Sequence, residues 1–175
     1  MKRYHPVLVS LHWLLAFLVI GGLLAGGLGL ANTPNTDPFK LFSLKMHMSM
    51  GTLILALMVG RLLVRFLTKK PPHADIGNAL LNKGAIAAHY VLYAVVIAMA
   101  ASGLAIAKEA GLFAIVFGGS GEALPVDFSH IAPRAAHGVL AIVLSLTIIG
   151  HVLAALYHQY IRNDSLFSRM WFGGR

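Results

Sequence analysis

The stretch AAHGVLAIVLSLTIIGHVLAALYHQYI, residues 135–161, decides how the rest of the chain is read. It contains no Asp, Glu, Lys or Arg, and it exceeds the ~20 apolar residues that a transmembrane helix needs. Its tyrosines apart, the only titratable side chains in it are His137, His151 and His158. Three other stretches share this character. Val7 to Leu30 is charge-free and carries His12. His47 to Gly60 is charge-free, and its apolar pattern continues to Leu67 past Arg61 and Arg65. Ile86 to Ala107 is charge-free and carries His89. A fifth run, Leu112 to Phe117, is too short to span and reads as a loop segment touching the interface. The expected fold is therefore all-α: an integral membrane four-helix bundle, one domain over 1–175, with helices at about 7–30, 46–67, 85–107 and 135–161.

Composition agrees. Only 11% of the 175 residues are charged, against about a quarter in soluble domains, and mean hydropathy is +0.76. Disorder, coiled coils and most soluble folds are excluded. The balance is basic, 14 Lys+Arg against 6 Asp+Glu. In a soluble chain that would suggest nucleic acid, but in a membrane chain basic residues set orientation. One side of the bundle receives Lys2, Arg3, Arg61, Arg65, Lys69, Lys70, Lys83, Arg162, Arg169 and Arg175; the other receives only Lys40, Lys45, Lys108 and Arg134. The positive-inside rule puts both termini and the 68–83 loop in the cytoplasm, with no nucleic-acid partner required. The first span follows Lys2 and Arg3 as a signal peptide would, but its apolar run is longer than a signal core and no A-x-A site follows, so it reads as a retained anchor. The Pro- and Gly-containing tracts 32–38, 71–72 and 118–125 separate the spans.

There is no cysteine, which excludes disulfides, thiolate metal sites, iron–sulfur clusters and CxxCH haem attachment. There are nine histidines. Ionisable residues at membrane depth are rare and mark sites, and His12, His47, His89, His137 and His151 qualify. His137 and His151 are fourteen residues apart, roughly 21 Å along a helix and close to four whole turns. One helix thus offers two imidazoles on one stripe, one near each membrane surface. Depth matches His47 with His137 outside and His12 with His151 inside. Two stacked bis-histidine sites are what two b-type haems require.

The same fourteen-residue step leads from His12 to Gly26, which would admit a flat cofactor at the outer level or serve Gly22-x-x-x-Gly26 helix packing. It leads from His47 to Arg61, which would hold haem propionates or snorkel to the cytoplasmic surface. His89 lies at the depth of His12 and His151. It could replace His12 as ligand, but His12 leaves one ligand on each of the first two spans, with His89 as a propionate partner or an interhelical hydrogen-bonding group. Met46, Met48, Met50, Met58 and Met99 are assigned to packing or lipid.

These residues carry a resemblance. RYHPVLVSLHWLLAF (3–17), KMHMSMG (45–51), GRLLVRF (60–66), AHYVLYAVVIAMAASGLA (88–105) and residues 134–170 make the chain similar to the bacterial cytochrome b561 family over nearly its whole length. The resemblance implies haem b bound by His12, His47, His137 and His151, and a place in the bacterial inner membrane. It also implies an activity. Some members oxidise superoxide at the periplasmic side and pass electrons to ubiquinone, while larger relatives are quinone-linked membrane subunits of hydrogenases and dehydrogenases. The expected partners are lipid, quinone and superoxide, or a redox partner protein docked on the 108–134 loop.

On that reading Lys45 and Arg134, with Lys40 nearby, are candidates for steering a small anion to the outer haem; ordinary surface solubility is the other reading of them. Ser10, His158 and Tyr160 are candidates for a quinone site by the inner haem, His158 as a proton relay; an interfacial belt with Trp171 is the alternative. A His-lined metal or proton transporter would call for acidic partners, and no Asp or Glu lies inside any span.

Overall fold

The computed structural model describes residues 3–69, 71–72, 77–164 and 166–172. Lys2, Lys70, His73 and Arg175 lie outside the described residues. Among the described residues all regular structure is helical. α1 is Pro6–Leu24 and runs on through a π-helical turn, Ala25–Gly29, and a 3-10 turn, Leu30–Asn32. α2 is Lys40–Leu67, α3 Ala79–Glu109, α4 Leu112–Val116 and α5 Ala132–Leu156. α5 continues as a π-helical turn, Tyr157–Arg162, and a 3-10 turn, Leu166–Met170, closes the described chain. Four runs are long and apolar enough to cross a membrane.

Local chemistry accounts for the ends. Pro6 occupies the first turn of α1, and the His5 ring accepts the Val7 N–H at 3.3 Å. Asn78 caps α3 by accepting from Leu80 and Leu81 N–H. α2 and α3 each begin several residues before the apolar stretch does, α3 under the Asn78 cap and α2 without a side-chain cap.

α3 packs on α5, α1 on α2, and α2 on α3. Among the described residues neither α1 nor α2 packs closely on α5. These are the two helix pairs across which the fourteen-residue spacing sets histidines facing one another.

The buried centre is a layer of Leu15, Val19, Ile54, Met58, Tyr93, Val96 and Leu144. Leu144 is midway between His137 and His151 in sequence and is 2% exposed. The layer is thus an apolar partition between two depths. Large apolar side chains such as Phe17, Leu63, Phe66, Ile142 and Leu146 are exposed along the helices, the surface a bilayer would solvate.

The outer end differs from expectation in two places. The run from Leu112 is a short helix, not a loop at the interface. Gly111 takes the left-handed conformation (φ 63°) that turns the chain sharply after α3, and Leu112 and Val116 are then buried against Leu44 and Ala107. Lys40, read as an outer surface cation, is 5% exposed. Its ammonium donates to the Leu30 carbonyl at 2.7 Å and the Thr33 carbonyl at 2.5 Å, closing the α1–α2 loop.

Candidate haem-binding sites

The histidines meet in pairs. At the outer level the His47 and His137 rings are 6.3 Å apart, centroid to centroid, at 75°. At the inner level the His12 and His151 rings are 6.2 Å apart at 72°. A transition metal sits about 2 Å from an imidazole nitrogen, so two such bonds and the two ring radii add to about 6 Å. Both pairs match the separation that two imidazoles would need to hold one metal between them.

The outer surroundings fit a flat cofactor by two further observations. His47 Nδ1 is buried with no hydrogen-bond partner. A Cβ on Gly26 would stand 3.0 Å from His47 Cε1, and one on Gly103 would stand 3.3 Å from His137 Cε1. The expected role of Gly26 thus takes a specific form: the π-helical turn at the end of α1 sets its bare backbone against a ring. π-turns are frequent at functional sites for this reason of altered register. A cavity of about 950 Å³ lies here, lined by His47, His137, Gly26, Gly103, Phe117 and Arg134 among others. That is at the upper end of cofactor-site sizes.

Two residues at this level escaped the sequence reading. Gly103 is fourteen residues from His89, the same step that singled out Gly26. Ser102 Oγ donates to the Met99 carbonyl at 2.8 Å and lies 2.9 Å from His137 Nδ1, whose N–H it can accept. A serine in an apolar helix gives no sequence signal that it touches a histidine on another helix.

The inner level is more crowded. The His89 ring is 5.5 Å from that of His151, shorter than the span of the other two pairs, and His89 Nδ1 is 2.7 Å from the Ala85 carbonyl of its own helix. Arg61 donates to the Leu8 carbonyl at 2.8 Å and lies over the Tyr93 ring, 5.6 Å from its centroid.

The C-terminal segment folds back over this end. Trp13 Nε1 donates to the Met170 carbonyl at 2.7 Å, and its ring is edge-on to Phe167 and Trp171. The Arg169 guanidinium donates to the Pro72 carbonyl at 2.7 Å. His158 is tied to Asp164, Nδ1 to Oδ2, at 2.5 Å. Ser10 spends its hydroxyl proton on the Pro6 carbonyl at 3.2 Å, and Tyr160 is exposed. At the outer end Arg134 lines the cavity itself, while Lys45 Nζ lies 6.0 Å from the centroid of Phe117, one of the lining rings.

A bundle of four membrane-crossing helices with opposed imidazoles at two depths has the architecture of a membrane-bound b-type cytochrome. The chain belongs to the prokaryotic cytochrome b561 family, which it matches over residues 3–173. It is 31% identical to the probable superoxide oxidase CybB of Yersinia pestis over 172 residues, covering 97% of this chain and 96% of that protein. It is 27% identical to cytochrome b561 homolog 2 of Escherichia coli over 174 residues, covering 97% and 91%. It is therefore an electron-transfer protein that binds haem b, multi-pass in the bacterial inner membrane.

Proposed function

We propose that this chain oxidises superoxide at its outer end and reduces ubiquinone at its inner end, with two haems b and both termini in the cytoplasm. The observation that carries the reading is the repeated imidazole pair, 6.3 Å and 6.2 Å apart, on the two sides of the Leu144 layer. The relative named as a probable superoxide oxidase supports the choice of donor. When bound, haem b supplies a one-electron carrier at each level.

His47 and His137 would hold the outer group, and His12 and His151 the inner one. His12 is favoured over His89 because its distance to His151 reproduces that of the outer pair, while His89 is closer than a bridging iron allows. Arg61 uses one N–H on Leu8 and retains others for a propionate carboxylate.

Lys45 and Arg134 at the cavity raise the local concentration of a small anion by steering. His158, one layer towards the cytoplasm from His151, supplies protons to the reduced quinone, and Ser10 and Tyr160 border the same end. Two superoxide anions leave as dioxygen while one quinone takes two electrons and two protons.

The test is superoxide-driven ubiquinone reduction by the purified chain, together with a pyridine haemochrome count. Two haems b per chain and quinol formation are expected. Replacing Lys45 and Arg134 with Gln is expected to slow the superoxide reaction about tenfold at low salt, within the range that steering contributes, and to flatten its salt dependence. Two haems with no superoxide reaction would leave a relay subunit for a larger enzyme.

A further inference from the structure

No acidic residue lies within the apolar stretches, yet the structure brings one to a candidate site residue. α5 ends in the π-helical turn Tyr157–Arg162, and Asn163 then takes the left-handed conformation, φ 51°. It is the one described non-glycine residue with positive φ, and asparagine is among the residues that tolerate it. The chain reverses at this point. Asp164 N–H donates to the His158 carbonyl at 3.3 Å, and its carboxylate is laid beside the ring, Oδ2 being 2.5 Å from His158 Nδ1.

The carboxylate is fully engaged. Oδ2 also accepts from Arg162 Nε at 3.3 Å, and Oδ1 accepts the Leu166 N–H at 3.3 Å. Burial pushes the carboxyl up, but the hydrogen bonds from His158, Leu166 and Arg162 outweigh it and hold it below its ordinary value. It is an anion in use as an acceptor on both oxygens. Both side chains are largely shielded, His158 18% and Asp164 25% exposed. This carboxylate–imidazole contact, anchored on its far side by a backbone N–H, fixes both the ring plane and the nitrogen that carries the proton.

We infer that Asp164 is the positioning residue of His158: it keeps a proton on Nδ1, so that Nε2 is the atom that gives a proton to the quinone. This rests on the inner end being the quinone-reducing side. In each transfer the N–H bond at Nε2 breaks and an O–H bond forms on the quinone oxygen. The ring is recharged from cytoplasmic water, with Nδ1–H held on Asp164 throughout. Two such transfers accompany the two electrons that two superoxide anions supply on leaving as dioxygen. His158 is seven residues from His151, about 10 Å along the helix, so the proton source is set one layer outside the inner histidine pair.

Asp164→Asn is the informative change. Both carboxylate oxygens face N–H donors, so an amide must turn its NH2 towards one of them. Turned to His158, it makes Nδ1 an acceptor and moves the proton to Nε2, as the wrong tautomer does in carboxylate–histidine catalysis.

The experiment uses the haem-loaded full chain with a short-chain ubiquinone. Asp164→Asn is expected to lower kcat for quinone reduction by roughly ten- to a hundredfold with KM nearly unchanged, and Asp164→Glu to restore it to within about threefold. Haem reduction by superoxide stays at the wild-type rate in both. Nitrogen NMR of labelled histidine, with His158→Ala to assign the signal, is expected to show the proton on Nδ1 in the wild type and shifted in Asp164→Asn. A wild-type kcat in Asp164→Asn, or an unmoved His158 signal, overturns the inference. A wild type that takes electrons from superoxide but reduces no quinone overturns the proposed acceptor instead, and the NMR signal then decides Asp164 separately.

Discussion

At the outer end, His47 and His137 face each other across an open cavity, each ring backed by a glycine, with Arg134 on its wall and Lys45 beside the lining Phe117 ring. At the inner end, His12 and His151 are crowded by a third imidazole, by Arg61 and by an aromatic roof of Trp13, Phe167 and Trp171. The helical period sets both pairs at the same separation. What separates them is what the rest of the chain places around them. The outer site owes its space to missing side chains, and its cations are peripheral. The inner site holds a fixed guanidinium among its groups and a folded-back segment over them. A small anion needs access and attraction; a hydrophobic quinone needs a proton source near a carrier. Under the proposed function, the two surroundings suit a small-anion donor and a hydrophobic quinone acceptor.

The largest effects are expected from removing imidazoles singly. His137→Ala or His47→Ala should reduce the pyridine haemochrome count from two haems per chain to one, because among the described residues no third histidine is packed on the outer pair. His12→Ala should also lose one haem. His89→Ala should keep both. If His89→Ala loses a haem and His12→Ala does not, the inner assignment is reversed and the 5.5 Å pair is the coordinating one.

The glycines test the outer side alone. A Cβ at residue 26 would press on His47 at 3.0 Å. Overpacking of this kind costs about 1–3 kcal/mol, so Gly26→Ala should weaken outer-haem retention roughly 5- to 150-fold, read by haem loss to a scavenging apoprotein. Gly21→Ala, on the same helix, off the cavity wall and with nothing within 4 Å of its Cβ, should retain haem as the wild type does. Equal retention by both variants would mean that the Gly26 backbone is no part of the cofactor's wall.

The four spans and both histidine pairs were legible because a membrane helix is described by two numbers, its length and its period. The fourteen-residue step found Gly26 from His12 and Arg61 from His47. Applied to His89 it would also have found Gly103. The contacts that were not legible depend on side chains meeting across helices or on a chain reversal. Ser102 touches His137 because α3 and α5 pack closely, which no periodicity within α3 reveals. Asp164 follows its span in sequence and so looked external, but one left-handed residue returns it to His158. Lys40 looked like surface charge because lysine is ordinarily solvated. Two backbone carbonyls at the end of α1 recruited it into the loop instead.

The smallest effect is expected at Ser102. Its hydroxyl donates to Met99, so towards His137 it acts as acceptor. An acceptor on Nδ1–H makes the opposite nitrogen a more basic ligand and favours the oxidised metal, so Ser102→Ala should raise the outer haem potential and leave the inner one in place. One hydrogen bond is worth about 0.5–1.5 kcal/mol, and a tenfold change in a one-electron equilibrium is about 59 mV. The shift should therefore be roughly 20–60 mV in a potentiometric titration that resolves the two haems. A shift of the inner potential instead would mean that the serine acts through α3 as a whole. The two levels would then be coupled through the Leu144 layer.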